Sequence, residues 1–316
     1  MTDIAILCNG SETWASSRLR GYWLQAAAPL VFRAYGPGDS VSHVPEETVV
    51  FQKRFKAPDL ERAARYKAEG RRVIFDLTDP MWWWFPAEVE AMFRLADAVT
   101  TSNPGLTEAV RQSGKAARVL TIPDRMLGSF HPTPVQHGPR ERAVLVWYGD
   151  GGNRIALDGY LPLLGYLAHF RPLELRLIDQ IPGVKVVEED SPHLRITHIP
   201  WALETFHAQL LAADIAYTPP YPGPWGLLKS NNREVTAWWA GLPTASGLDL
   251  GELVELLDHP DLRAQIGAEN RQRAEQHWDI QQSVADWQAL AKALKDGLPV
   301  PAPDGHADKE AADAPV

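Results

Sequence analysis

The sequence predicts an α/β protein made of two successive doubly wound units, each with a parallel sheet. Three observations predict it. Over residues 4–122, short apolar runs alternate with segments of helical spacing. At 127–141 the rhythm breaks, with Pro132, Pro134 and Pro139 among Gly128 and Gly138. From residue 143 the alternation begins again. Continuous apolar strands interleaved with helices belong to parallel sheets covered on both faces. A Pro- and Gly-rich break at mid-chain reads as a linker.

Each element has its own signal. Residues 5–8 form an apolar run and read as the first strand, with a helix over 17–28. Residues 30–35 and 48–52 read as strands. Residues 59–69 have helical spacing, and Gly70 supplies the stop. The run Val73-Ile74-Phe75-Asp76-Leu77 is a buried strand ending near carboxylates. A helix over 87–95 and a strand over 98–101 follow, and Pro104 opens the next helix at a first-turn position. Residues 117–122 read as a strand. In the second unit, strands are expected at 143–148, 173–178, 184–187, 194–199, 214–218 and 242–245. Helices are expected from 153 to about 170, over 203–212, over 232–240, and then in segments to about 295. Residues 297–316 are rich in Pro, Ala and Asp, lack aromatics, and read as a disordered tail.

Composition narrows the functional classes. At 316 residues, with 45% hydrophobic and 22% charged residues, the chain is globular and has room for two cores. A formal net charge of −9 argues against a chain that coats nucleic acid or lies on anionic lipid. Three of those nine charges come from the tail, where Asp304, Asp308, Glu310 and Asp313 face Lys309 alone. One cysteine, Cys8, excludes an intramolecular disulfide and a Cys-rich zinc site. No basic leader and no run of 18 apolar residues is present, so a cytoplasmic chain without a membrane span is expected.

The richest stretch for chemistry is Trp225-Gly226-Leu227-Leu228-Lys229-Ser230-Asn231-Asn232-Arg233-Glu234. It follows a strand and opens a helix, and Asn231 with Glu234 three residues on resembles a capping box. A helix N-terminus offers unpaired N–H groups to an anion, and Lys229 and Arg233 add two cations there. The alternative reading is a capped helix with solvated cations. The loop Gly149-Asp150-Gly151-Gly152-Asn153 also joins a strand to a helix. It lacks the third glycine of a dinucleotide fingerprint and the Gly-Lys-Ser/Thr of a phosphate-binding loop, so it is either a ligand loop or a tight turn. In the first unit, Arg18 and Arg20 lie near the end of one strand, and Asp76 and Asp79 near the end of another. Asp79 has a competing reading as a cap before Pro80. Ten histidines show no metal-ligand spacing, and no Asp-x-Asp is present, so no metal and no cofactor are expected.

Five ordered blocks resemble the retaining GT-B glycosyltransferases that use nucleotide sugars. They are Ser16-Ser17-Arg18-Leu19-Arg20-Gly21; Asp76-Leu77-Thr78-Asp79-Pro80; residues 96–106 with Ile122-Pro123-Asp124; Val146-Trp147-Tyr148-Gly149-Asp150-Gly151-Gly152-Asn153; and Lys229-Ser230-Asn231-Asn232-Arg233, continuing to Ala240-Gly241-Leu242-Pro243-Thr244. They span residues 4 to about 290. The resemblance implies two Rossmann-like domains facing a cleft, the last helix crossing back to the first domain. The expected division is a 1–126 acceptor domain, a 127–141 linker, a 142–280 nucleotide-sugar domain, a 281–296 crossover helix and the 297–316 tail.

By that resemblance, a hexosyl group moves from a nucleotide-diphosphate donor with retention of configuration and without a metal. Lys229 and Arg233 would neutralise the diphosphate, with Asp79 as the third catalytic candidate. Gly149, Asp150, Gly151, Asn153, Ser230, Asn231 and Asn232 would contact the donor. Arg18, Arg20, Asp76, Trp82 and Trp83 would contact the acceptor, a glycan or other small molecule rather than a nucleic acid. The chain departs from the family pattern of two glutamates. Counting back from Gly241, their positions fall on Thr236 and Leu228, and Glu234 is out of register by two. That departure keeps a non-catalytic nucleotide-sugar binding protein of the same fold as an alternative. A third alternative, transfer to a modified nucleic-acid base, would need a basic strip such as Arg18, Arg20, Lys53, Arg54 and Lys56.

Twelve tryptophans are a surplus. Trp82-Trp83-Trp84 cannot all face one core on a strand or helix, so at least one should reach the surface, where an indole face stacks on a sugar ring. Trp238 and Trp239 fall inside a helix and read as core.

Overall fold

The computed structural model describes residues 4–39, 43–180, 187–190 and 193–299. The chain divides into two compact units. One comprises residues 1–127, 227–230 and 279–316, the other residues 128–226 and 231–278.

The first unit holds strands β1 (Ile4–Leu7), β2 (Phe32–Tyr35), β3 (Thr48–Gln52), β4 (Arg72–Leu77), β5 (Ala98–Thr101) and β6 (Val119–Thr121). They form one sheet in the order β2-β1-β3-β4-β5-β6. Every pairing is parallel. β1 and β3 are buried along their whole length; β1 is wholly apolar, and β3 is apolar at Val49–Phe51 between the buried polar residues Thr48 and Gln52. The expected first helix is a composite: α1 (Ala15–Ser17), a π-helical turn Arg18–Tyr22, then α2 (Trp23–Ala27). The π turn passes close to the end of β1 at Gly21, where a Cβ would collide with the Cys8 sulfur.

Three further helices are α3 (Ala57–Ala68), α4 (Pro86–Leu95) and α5 (Pro104–Gln112). α3 ends where Gly70 takes a φ of 78°, as its sequence position implies. α5 begins with Pro104 after Asn103, whose side chain accepts from the Leu106 amide at 2.9 Å. The last helix among the described residues, α12 (Ile280–Asp296), belongs to this unit. It is seated by Trp287, which is 1% exposed, by an Arg125–Asp286 pair at 2.6 Å, and by Arg72 donating to the Leu294 carbonyl. Gly297 closes it in the left-handed region. From residue 300 the expected tail lies outside the described residues.

The second unit holds β7 (Ala143–Gly149), β8 (Leu173–Asp179), β9 (Val187–Asp190), β10 (Leu194–Pro200), β11 (Ile215–Tyr217) and β12 (Thr244–Ala245). Their order is β12-β11-β7-β8-β10-β9. The sheet is parallel except at its edge, where β9 runs antiparallel to β10. The expected strand at 184–187 lies outside the described residues up to 186, and the observed strand starts at Val187. An antiparallel edge arises because only a short connection separates β9 from β10, too short for a parallel crossover.

The helices of this unit are α6 (Ile155–Asp158), α7 (Leu161–Ala168), α8 (Leu203–Leu211), α9 (Asn232–Trp239), α10 (Leu250–Asp258) and α11 (Pro260–His277). The core on one sheet face gathers Leu145, Trp147, Leu175 and Tyr217; the other gathers Val146, Tyr148, Ala216 and Leu242. Trp239 is 3% exposed, whereas its neighbour Trp238 is half-buried. Among the described residues, no helix is long and apolar enough to cross a membrane.

Candidate functional site

In the first unit, the carboxyl ends of the neighbouring strands β3 and β4 meet. Their register pairs Gln52 with Asp76, so the residues that follow each strand emerge side by side. Lys53 follows β3, and Thr78 and Asp79 follow β4. The Lys53 ammonium lies 2.5 Å from Oδ2 of Asp79. Lys229 donates to the other oxygen, Oδ1, at 2.7 Å. Thr78 Oγ1 adds a 3.2 Å bond to Oδ2. Burial alone would raise the Asp79 carboxyl, but Lys53 and Lys229 outweigh it and hold the group below its ordinary range.

Lys229 reaches Asp79 because the four residues Leu227–Ser230 pack within the first unit. Asn103 donates to the Leu228 carbonyl at 2.9 Å, Leu228 packs on the core, and Ser230 donates to Asp124 at 2.8 Å. Ser230, expected to contact a donor, gives its hydroxyl hydrogen bond to Asp124.

Three other expected contacts turn inward. Arg20 and Asp76, expected at an acceptor, are 2% and 0% exposed. Arg20 grips Asp76 through Nε at 3.1 Å and Nη2 at 2.5 Å, lies 3.5 Å from Asp124, and covers the Trp287 ring. Thr100 donates to the same carboxylate at 2.7 Å. A buried pair of this kind holds β4, α12 and the π turn together, and its two side chains are spent on each other. Arg18 is 7% exposed and donates to the Glu12 and Thr13 carbonyls. Its guanidinium thus serves the neighbouring loop, and burial lowers its pKa to about 10.

The supposed basic strip disappears with these corrections. Arg54 pairs with Asp59 at 2.8 Å, and Lys56 lies over the Phe85 ring at 3.2 Å. Of the tryptophan triplet, Trp82 packs on the core. Trp83 and Trp84 are 46% and 53% exposed, the first at the end of a 3-10 turn, Met81–Trp83, that directly follows Asp79-Pro80, and the second just after it. Trp84 is not among the ligand contacts expected from the sequence, and Lys53 enters there only as part of the basic strip. The signal for Lys53 was its place one residue past a strand adjacent to the Asp76–Asp79 strand.

In the second unit, Arg233 stands in the first turn of α9. Its guanidinium lies 5.1 Å from the Tyr221 ring centre and donates from Nη2 to the Pro219 carbonyl at 3.3 Å. Its Nη1 is buried and has no hydrogen-bond partner among the described residues. Tyr148 anchors this turn by donating to the Arg233 carbonyl at 2.5 Å. Asn231 occupies the N-cap position and Asn232 is the first helical residue. The expected capping box is corrected, because the Asn231 side chain makes no cap bond. The first-turn amides are thus not consumed by that side chain.

The loop after β7 is a 3-10 turn, Gly151–Arg154, capped by Asp150, whose Oδ1 accepts from the Gly152 amide at 2.9 Å. A Cβ on Gly149 would make only ordinary contacts with Trp147 and Asn153, so its glycine is not demanded by packing. Among the described residues, no group of three or more His, Cys, Asp or Glu is placed to hold a metal ion.

No family model matches the chain, and no curated protein matches it by sequence. Solved structures match it by shape. A sucrose-phosphate synthase from Thermosynechococcus elongatus gives a TM-score of 0.63 at 11% identity, over 94% of this chain and 100% of that one. An alpha-glucosyltransferase solved with UDP-glucose and DNA containing an abasic site gives 0.64 at 8% identity, over 92% and 98%. An alpha,alpha-trehalose 6-phosphate synthase from Burkholderia multivorans gives 0.61 at 10% identity, over 94% and 100%. At such identities the shared property is the fold. The chain has the GT-B fold of glycosyltransferases, with two Rossmann-like α/β units.

Proposed function

We propose that this protein is a glycosyltransferase that takes a sugar from a nucleotide-diphosphate donor. The observation that carries the reading is the match, over nearly the whole of both chains, to nucleotide-sugar enzymes, one of them solved with UDP-glucose. The second unit supplies a fitting donor contact. Arg233 presents an unsatisfied N–H at a helix start whose side-chain cap is absent, and both features suit a diphosphate. As the sugar leaves, negative charge grows on the diphosphate, and a fixed cation with helix amides lowers that barrier.

Transfer with retention, of a hexosyl group and without a metal, is the finer reading. It rests on the ordered sequence blocks, which lack an Asp-x-Asp, and on Arg233 as a cation able to neutralise phosphate. The two usual glutamates are absent, so other groups must hold the donor sugar. Gly149, Asp150, Gly151 and Asn153 after β7 and Asn231 and Asn232 at α9 are the proposed donor contacts.

Calorimetry with UDP, GDP, dTDP and ADP tests the reading. Binding of one of them, weakened by Arg233→Ala, supports it; no binding by any of the four overturns it. Donor hydrolysis without acceptor separates an enzyme from a binding protein, and an unchanged rate in EDTA supports metal independence.

A further inference from the structure

Residues 128–138 lead the chain into the second unit, and their prolines and glycines read as a loose linker. They are fastened to that unit instead. The Val135 amide donates to the Ala240 carbonyl at 2.8 Å, and Pro134 approaches Gly241 too closely for a Cβ there. From α11, Arg263 donates to the Gly138 carbonyl at 3.2 Å and Arg271 to the His131 carbonyl at 2.7 Å. Two histidines of the segment, His131 and His137, add bonds that depend on where each ring carries its proton.

His137 Nε2 lies 3.0 Å from the Gly241 carbonyl and must donate to it, since a carbonyl only accepts. In the neutral ring Nδ1 is then bare, and it is buried with no hydrogen-bond partner among the described residues. A proton there would make a buried N–H with no acceptor, on a ring faced by Arg263 and Arg140. The carboxylate that also faces it, Asp214, is already held by Arg140 at 3.1 Å and by Arg263 at 3.7 Å. His131, which is 0% exposed, meets His207 of α8 with Nδ1 3.0 Å from Nδ1. One ring donates and the other accepts, so protonating both sets two N–H groups head to head. Thr133 Oγ1 lies 3.4 Å from Nε2 of His207, and α11 contributes Arg271 with Glu275 bound to it at 2.6 Å. Burial holds His137 and His207 below the ordinary histidine value of about 6.5; it outweighs the Gly241 bond at His137, and Arg271 adds to it at His207.

We propose that His137 and the His131–His207 pair make residues 128–138 an acid-released latch, seated on the second unit while the rings are neutral and freed when they are protonated. The latch does not depend on the glycosyltransferase reading. A proton binds the released histidines more tightly than the seated ones, so the contribution is complete above about pH 6.5 and is lost as pH falls below it.

The test is hydrogen exchange of the full chain, read by mass spectrometry and corrected for the intrinsic exchange rate. Protection of peptides from 128–138 should fall at least roughly tenfold between about pH 7.5 and about pH 5, while β7 and β8 stay protected. The double variant His137→Gln with His207→Asn places amides where the bonded ring nitrogens stand and cannot titrate, so its segment should change by less than about twofold over that range. An NMR titration of the wild-type histidine rings, which needs no variant to fold, should put His137 and His207 below about 6.5. Protection of the segment unchanged by acid, an equal fall in the double variant, a fall shared by β7 and β8, or either histidine titrating at or above the ordinary value overturns the latch.

Discussion

Lys229 reaches back 150 positions along the chain to place its ammonium 2.7 Å from Oδ1 of Asp79. The carboxylate so held has its folded pKa below the unfolded value of about 3.9. A depressed acid stabilises the folded state above the unfolded pKa and loses that contribution as pH falls through the folded one. Asp79→Ala should therefore cost about 1–3 kcal/mol near neutrality, because it strands two cations. Between pH 5 and 8 the difference should be flat, and below about pH 4 it should shrink. Urea denaturation of both proteins across that range checks it. A difference that stays constant down to pH 3 would remove charge as the cause.

Arg20 and Asp76 make the deeper pair, and burial changes the sign of what a substitution does. Removing one partner leaves the other charged and dry. Asp76→Ala should cost about 3–5 kcal/mol, and Arg20→Met a similar amount. The double variant Arg20→Met with Asp76→Leu should cost much less than the two together, since neither charge then remains buried. Chemical denaturation of the three variants measures the coupling. Additive losses would contradict a mutual role.

These two pairs also mark how far the sequence could be read. The strands and helices were legible because apolar runs and stops such as Gly70 and Pro104 are local signals, and their alternation carried the fold class. The partners of charged residues were not legible. Arg20 and Asp76 sit 56 positions apart, and nothing near either one in the chain says that they neutralise each other. The same holds for Lys229, read as part of a helix start because it stands three residues before α9. Its side chain answers instead to Asp79, through a four-residue segment whose seat depends on Asn103 and Asp124. Trp83 and Trp84 were legible as a class, since three consecutive large rings exceed what one face can bury. Which of the three packed inward was decided by Phe93, which Trp82 meets at 6.3 Å.

Arg233 offers a prediction on donor binding. Its planar guanidinium lies against Tyr221 while one N–H of its rigid fork stays unsatisfied, a fixed donor geometry that a lysine ammonium does not reproduce. Arg233→Ala should weaken the favoured nucleoside diphosphate by roughly 10- to 100-fold, and Arg233→Lys should recover little of that loss. Titration calorimetry gives both ratios. Full recovery by lysine would show that charge alone matters at this position.

Cys8 should be chemically silent in the folded protein. Burial, with a smaller contribution from Asp76, pushes its thiol up to about 12. Reactivity needs thiolate, and access as well. At pH 8 a disulfide-exchange reagent should therefore release no signal from the native chain and one equivalent after denaturation, because the sequence holds one cysteine. Rapid native labelling would show that the π turn over Cys8 opens readily.

Gly105 isolates the contribution of the Leu227–Ser230 segment. A Cβ at Gly105 would lie 2.5 Å from the Leu227 carbonyl oxygen, a backbone atom that cannot turn aside, and 3.3 Å from the Asn103 carboxamide that caps α5. Gly105→Ala should cost about 1–3 kcal/mol by overpacking. It should also lift the segment from its seat, and with it the Lys229 ammonium from Asp79. Gly159→Ala is the control: a Cβ there meets nothing within 4 Å, and its φ of −65° suits any residue, so its effect should stay within about 0.5 kcal/mol. Thermal denaturation gives the two costs. Lysine labelling then reads the segment directly, with Lys229 more reactive in Gly105→Ala and unchanged in Gly159→Ala. If Gly105→Ala loses stability with Lys229 still protected, the clash is absorbed within α5 and the segment is held by Ser230 and Lys229 rather than by the fit at Gly105.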